Sequence, residues 1–138
     1  MKRMEPCFRE LNHTADLAVE VWGEDFSELL AHAAEVVFAL QGLPEPGGKR
    51  VRRRVELTSP DREALLVDWL NELLYLSETN GEMYASFQIV HVSDTSLKAA
   101  ALGCKGRPTK RKIKAATFHA LQIADSPGRC AARIVFDV

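Results

Sequence analysis

The stretch LAVEVWGEDFSELLAHAAEVVFALQG, residues 17–42, changes its hydrophobic period partway along and thereby decides the first half of the fold. Residues 17–22 are rich in β-branched and aromatic side chains, which predicts a strand. From residue 26 to residue 40 the apolar side chains recur at helical spacing, which predicts an amphipathic helix. Asp25 can cap this helix, and Glu28 completes the pattern of a capping box. We therefore expect a strand that leads directly into a helix.

A second helix is predicted by the segment LLVDWLNELLYL, residues 65–76, which is the most apolar helical pattern in the chain. Ser59 is its expected N-cap and Pro60 its first helical residue, and the helix should run to about Glu78. Just before it, residues 49–58 have the composition of a strand with at least one charged, solvated face. The first half of the chain therefore contains two helices and two strands.

The second half of the chain is a succession of predicted strands. We expect these strands to span residues 83–92, 95–102, 112–124 and 130–138. Because helices occur only among the early strands, this order favours an α+β fold over a doubly wound α/β fold. We predict a single domain, residues 1–138, built as a two-layer sandwich. Two main helices would pack on one face of a mixed, mostly antiparallel sheet of about six to seven strands.

Charge and cysteine content limit the class of protein. The formal net charge of the 138-residue chain is −1, so any attraction to nucleic acid or membrane must come from local patches. The three cysteines, Cys7, Cys104 and Cys130, contain no C-x-x-C pair, which favours reduced thiols over a disulfide framework or a zinc site. Neither a signal sequence nor a membrane span of roughly 20 apolar residues is recognisable. We therefore expect a cytoplasmic protein.

Carboxylates occur near both ends of the chain. His13, Thr14 and Asp16 fall in a predicted turn, where such side chains commonly bond to backbone N–H groups. Asp137 follows an apolar strand that would hold its carboxylate close to the α-carboxylate of Val138. If Asp16 met these two groups, the carboxylates would repel one another unless a cation or a proton intervened. Oxygen ligands suit Ca²⁺, Mg²⁺ or Mn²⁺, so a turn and a metal site are the two alternatives here.

Lys114 and His119 are further candidates for a functional site. They fall on opposite faces of the strand predicted at residues 112–124, because side chains alternate along a strand. The two side chains could serve one site only if a β-bulge re-aimed one of them. A solvated lysine and a hydrogen-bonded histidine are the plainer alternatives.

Two basic clusters could contact phosphates. The first consists of Lys49, Arg50, Arg52, Arg53 and Arg54. The second consists of Lys105, Arg107, Lys110, Arg111, Lys112 and Lys114. The alternative is a charged edge strand and a solvated loop, which protect a sheet from edge-to-edge pairing. No aromatic residues alternate with these cations along the sequence, so we rank RNA binding as secondary.

Fingerprints of catalysis are missing from the sequence. The chain has no Walker loop, no G-x-G-x-x-G, no G-x-S-x-G and no H-E-x-x-H. We therefore assign no catalytic residue, and the sequence does not support a stand-alone enzyme.

Four motifs, taken in order, resemble the archease family. They are HTADL (13–17), LLVDWLNELLYL (65–76), IKAATFHAL (113–121) and FDV (136–138). Together they extend over essentially the whole chain. The segment at 65–76 alone could belong to any buried helix, whereas the four motifs in sequence are specific. The resemblance implies a small α+β sandwich, in agreement with the periodicity.

The resemblance also implies a function. Archease-like proteins are accessory proteins of the RtcB-type RNA ligase, which joins a 2′,3′-cyclic-phosphate or 3′-phosphate RNA end to a 5′-hydroxyl in tRNA splicing and RNA repair. They promote guanylylation of the active-site histidine of the ligase and allow multiple turnover. The family binds a divalent metal, seen as calcium. Carried over by motif, the ligands are Asp16, Asp137 and Val138, with His13, Lys114 and His119 as second-layer or partner-contact residues.

Two positions depart from the family pattern, and two other functions compete with this one. Asn12 stands where an aspartate is often found, and Cys104 stands where the family usually has a glutamate. A general chaperone or modulator of nucleic-acid-processing proteins would help several clients without the acidic site. An RNA-binding module would use the two basic clusters and would lose affinity steeply with salt.

Overall fold

Seven strands and two helices form in the part of the chain that the computed structural model describes, residues 7–11 and 17–138. The strands are β1 (Phe8–Leu11), β2 (Leu17–Gly23), β3 (Arg50–Thr58), β4 (Glu82–Val92), β5 (Ser96–Lys105), β6 (Ala115–Ser126) and β7 (Arg129–Asp137). The helices are α1 (Phe26–Gln41) and α2 (Arg62–Asn80). The predicted α+β class and both predicted helices are confirmed.

The strands are divided between two antiparallel sheets. One sheet has four strands in the order β1-β2-β7-β6, and the other has three in the order β3-β5-β4. Every pair of neighbouring strands is antiparallel. The prediction of one mixed sheet was therefore wrong in this detail, because periodicity identifies a strand but not its partner. The chain leaves the four-stranded sheet after β2 and returns to it only with β6.

One buried core lies between the helices and both sheets. Helix α1 packs against β2 and β4, and α2 packs against β6 and against α1. The indole Nε1 of Trp69 donates a hydrogen bond to the Leu30 carbonyl at 2.9 Å and so joins the two helices. The rings of Phe38 and Tyr84 meet edge to face with centroids 5.3 Å apart, an arrangement that the aromatic quadrupole favours. Neither helix has the length and apolarity needed to cross a membrane.

The start of α1 agrees with the prediction, whereas the start of α2 does not. Asp25 Oδ1 accepts a hydrogen bond from the Glu28 N–H at 2.8 Å, as a capping box requires. For α2 the N-cap is Asp61, whose Oδ1 accepts from the Ala64 N–H at 2.8 Å. The predicted cap, Ser59, instead donates to Asp68 Oδ2 at 2.6 Å. Aspartate and serine cap equally well, so propensity alone could not choose between two neighbouring candidates.

Strand β6 breaks the alternation that its sequence suggested. Its pairing with β7 shifts register between Thr117 and Gln122, and Ala120 within this interval has a φ of 54°. Because such an irregularity changes which side chains share a face, Ala116 and Ile123 are both buried although the predicted alternation separates them. Within the bulge, Phe118, His119 and Ala120 are exposed, whereas Leu121 packs partly against the core.

Candidate functional site

The pairing of β2 with β7 brings together the strand residues that flank the two acidic motifs, HTAD and FDV. These strands run antiparallel, and Leu17 lies opposite Phe136. Leu17 directly follows the HTAD motif, and Phe136 directly precedes Asp137. The sites predicted at His13 and Asp16 lie outside the described residues. The described strands nevertheless show that the segments flanking the two motifs are neighbours.

The end of β7 is anchored by its apolar side chains. Ile134, Val135 and Phe136 are all buried, so this terminal strand does not fray from the sheet. The carbonyl oxygen of Asp137 accepts a hydrogen bond from the Lys114 N–H at 2.8 Å. Asp137 itself is exposed, and its carboxylate forms no ion pair with any described residue. Within the described residues, an exposed carboxylate thus lies at the end of an anchored strand.

Lys114 and His119 occupy different positions along the same edge. Lys114 is exposed and lies beside the chain end through its backbone bond to Asp137. His119 lies in the bulge of β6, where its N–H donates to Thr117 Oγ1 at 3.3 Å. Thr117 Oγ1 in turn donates to the Val135 carbonyl at 2.8 Å, which holds the bulge against β7. The irregularity of β6 therefore includes His119, and a site shared by Lys114 and His119 stays a prediction.

Carboxylate oxygens are the ligands that calcium and magnesium prefer. Over residues 7–11 and 17–138, no group of three His, Cys, Asp or Glu side chains is placed to hold an ion. Of the predicted metal ligands, Asp137 and Val138 lie in this stretch. The chemistry of those two residues fits a hard divalent cation, because Asp137 is exposed and its carboxylate is not engaged in an ion pair there.

The first basic cluster lies on β3, at an edge of the three-stranded sheet. Arg52 and Arg54 are exposed, as expected for a charged edge strand. Arg53 alternates to the other face and makes two hydrogen bonds to Glu82, from Nε at 2.9 Å and from Nη2 at 2.6 Å. Most of this cluster is therefore a solvated edge, whereas one arginine belongs to a buried network.

The buried network centres on Glu82, whose side chain is fully inaccessible to solvent. Besides Arg53, Tyr84 donates its hydroxyl to Glu82 Oε1 at 2.7 Å, and Lys105 Nζ lies 3.2 Å from Oε2. Hydrogen bonding by Arg53, more than any other contact, lowers the pKa of Glu82 to about 2. This network was not predicted from the sequence, because Arg53 and Lys105 lie more than 20 residues from Glu82 along the chain. A glutamate at the first position of an otherwise apolar strand start, EMY, was the available signal.

The second basic cluster lies mainly in the loop between β5 and β6, residues 106–114, called here the basic loop. Its backbone caps the carboxyl ends of both helices. The Lys110 N–H donates to the Gln41 carbonyl at 2.9 Å, and the Gly106 N–H donates to the Gly81 carbonyl at 3.0 Å. Neither helix has a basic residue in its own last turn. The loop therefore brings cations to two helix ends that carry partial negative charge.

A groove separates the basic loop from α2, and we call it the loop–helix groove. It consists of two adjoining depressions of about 380 and 370 Å³ that share Leu74, Glu78, Lys112 and Ile113. Tyr75 on α2 lines one of them and is 61% exposed. Tyr75 was not predicted to lie near these cations, because it is more than 30 residues from the basic loop along the chain. Its position off the apolar stripe of α2 was the only local sign.

Comparison with known proteins places this chain in a family. Residues 8–138 match the Archease protein family (MTH1598/TM1083). "Protein archease" from Methanosarcina mazei is 36% identical, with 95% of each chain covered, and its counterpart from Methanothermobacter thermautotrophicus is 30% identical, with 95% of this chain and 98% of that one covered.

Solved structures agree with this match. The solution structure of Methanobacterium thermoautotrophicum protein 1598 has a TM-score of 0.74 and 31% identity, covering 97% of this chain and all of that one. A crystal structure from Thermotoga maritima, described as an archease and possible chaperone, has a TM-score of 0.67 at 21% identity over the full length of both chains, and shows the same fold. The chain belongs to the archease family.

Proposed function

We propose that this protein is an accessory protein that activates an RtcB-type RNA ligase in tRNA splicing and RNA repair. It would promote guanylylation of the ligase histidine and allow multiple turnover, without catalytic residues of its own. Membership of the family supports this proposal, since the resemblance implies that role. The observation that carries it is the pairing of Leu17 with Phe136, because this register brings the flanks of both acidic motifs together.

The proposal includes a divalent-metal site built from Asp16, Asp137 and Val138, with calcium as the expected ion and magnesium or manganese as alternatives. Asp16 directly precedes Leu17 in sequence and Asp137 directly follows Phe136, and Leu17 pairs with Phe136 across β2 and β7. A bound divalent ion would stabilise negative charge on a nucleotide phosphate. Lys114 and His119 lie along the edge that leads to this site, and with His13 they would contact the ligase or its nucleotide.

The proposal is tested by RNA ligation with the cognate ligase held limiting against a cyclic-phosphate substrate. With the native protein present, the amount of ligated RNA should exceed the amount of ligase several times over. Asp16→Asn and Asp137→Asn should abolish this gain because each removes a charged ligand, while the matched surface variant Glu45→Asn should retain it. Calcium binding, followed by calorimetry, should weaken in the same two variants. Full activation by both aspartate variants would contradict the role of the acidic site.

A general chaperone is the second candidate, and the description of the Thermotoga maritima structure as a possible chaperone favours it. A chaperone would protect several unrelated clients from aggregation, and its effect would not depend on Asp16 or Asp137. Light scattering with two unrelated RNA-processing enzymes separates the two functions. Equal protection by native protein and by Asp137→Asn, with no effect on ligation, would favour the chaperone.

A further inference from the structure

We propose that the loop–helix groove binds single-stranded RNA, with cations of the basic loop on the phosphates and the Tyr75 ring stacked on a base. This concerns the affinity of the protein itself, so it stands or falls independently of the activation of a ligase. The groove includes side chains that the proposed acidic site does not use, among them Tyr75 and Lys110.

The charge of the groove is strongly one-sided. Its lining contains one carboxylate, Glu78, and five cations, which are Arg107, Lys110, Arg111, Lys112 and Lys114. Lys112 pairs with Glu78 at 2.6 Å, but the other four side chains form no ion pair with any described residue. This excess of positive charge occurs in a protein whose formal net charge is −1. The partner that fits it is a polyanion.

Capping of the helix ends does not explain all of these cations. The bonds to the Gln41 and Gly81 carbonyls come from backbone N–H groups, so the side chains of Lys110 and Arg111 are not needed to make them. Both side chains are exposed. Each helix end carries a partial negative charge of about half an elementary charge. Two helix ends therefore carry less negative charge than the five cations of the groove could compensate.

The exposed side chain of Tyr75 favours nucleic acid over an acidic protein segment as the polyanion that binds the groove. Tyr75 is 61% exposed, although large aromatic side chains usually bury most of their surface. It lines the same depression as Lys112 and Lys114. An exposed aromatic ring beside a line of cations is the arrangement with which proteins hold single strands, since every base has a face to stack. An acidic peptide would use the cations and leave the ring without a partner.

The groove also has a direction. At one end lies the helix cap at Gly81, which Arg107 covers, and toward the other end lies Lys114. The Lys114 N–H is bonded to the carbonyl oxygen of Asp137. A strand held in the groove would therefore extend toward the chain end where the acidic site is proposed.

Fluorescence anisotropy with a labelled oligouridylate of about 12 nucleotides tests the proposal on the protein alone. We expect a Kd between about 10⁻⁴ and 10⁻⁶ M at physiological salt, with log K falling against log salt by about 0.7 for each phosphate contacted. Tyr75→Ala should weaken binding roughly tenfold, and Tyr75→Phe should restore it because phenylalanine stacks equally well. The double variant Lys110→Gln, Arg111→Gln should also reduce the salt dependence.

The matched control is the double variant Arg52→Gln, Arg54→Gln, which removes the same charge from the edge of the other sheet. It should bind RNA like the native protein. The inference is overturned if the native protein does not bind, if Tyr75→Ala binds as tightly as the native protein, or if the control loses as much affinity as the loop variant. It is also overturned if polyglutamate displaces the RNA at equal charge concentration, because the groove would then be a docking surface for acidic protein. Unchanged melting temperatures confirm that each variant is folded.

Discussion

The two basic segments, β3 and the basic loop, are both rich in cations but differ in which groups make their structural contacts. On β3 one arginine turns inward and, with Tyr84 and Lys105, satisfies the fully buried carboxylate of Glu82. In the basic loop the backbone makes the bonds to the helix ends, and the basic side chains are exposed. A buried charge must be paired, whereas an exposed charge adds little to stability and is available for a partner. We therefore expect substitutions in the network to affect folding and substitutions in the loop to affect binding.

The sharpest test of this comparison, with the largest expected effect, is Glu82→Ala. It leaves the buried Tyr84 hydroxyl without its acceptor and removes the partner of Arg53, so the free energy of unfolding should fall by about 3 kcal/mol. Urea denaturation followed by circular dichroism measures the change. Glu56→Ala, an exposed carboxylate on β3, should stay within about 0.5 kcal/mol of the native protein. Equal losses in both variants would break the distinction.

Acid should act on the same network in a defined direction. The pKa of Glu82 is lowered in the folded protein from 4.5 to about 2, chiefly by its hydrogen bonds from Arg53, so the unfolded state takes up this proton first as the pH falls. The stabilisation is complete above pH 4.5 and is lost as the pH falls toward 2. The urea midpoints of native protein and Glu82→Gln should therefore converge on acidification. If the difference between the two urea midpoints stayed constant from neutral to acidic pH, ionisation of Glu82 would not contribute to stability.

The smallest effect is expected for the ion pair of the basic loop. Glu78 and Lys112 are both more than half exposed, so Glu78→Gln should change the free energy of unfolding by less than about 0.5 kcal/mol. The same change frees Lys112 for phosphate, so affinity for the oligouridylate should rise slightly. Thermal denaturation and anisotropy on one preparation compare the two outcomes. A large loss of stability would mean that side chains of the basic loop contribute as much to the free energy of unfolding as those of β3.

Local signals predicted much of the architecture correctly. The period change at residues 17–42 identified β2 and α1 with its cap, because capping and amphipathicity depend on neighbouring residues. They failed where two nearby residues could both cap a helix, as Ser59 and Asp61 could at the start of α2. They also failed at the bulge of β6, because a change of register depends on the partner strand and not on the strand alone.

The candidate sites divide in the same way. Asp137, Lys114 and the basic clusters could be identified as chemical groups from the sequence, because charge is a property of the residue. The sequence by itself thus determined the α+β class, the order of helices and strands and the list of candidate side chains. Tertiary structure alone decided that Leu17 meets Phe136, that Glu82 lies buried among donors and that Tyr75 lines the groove of the basic loop. These contacts join residues distant in sequence, and their positions depend on how sheets and helices pack around the shared core.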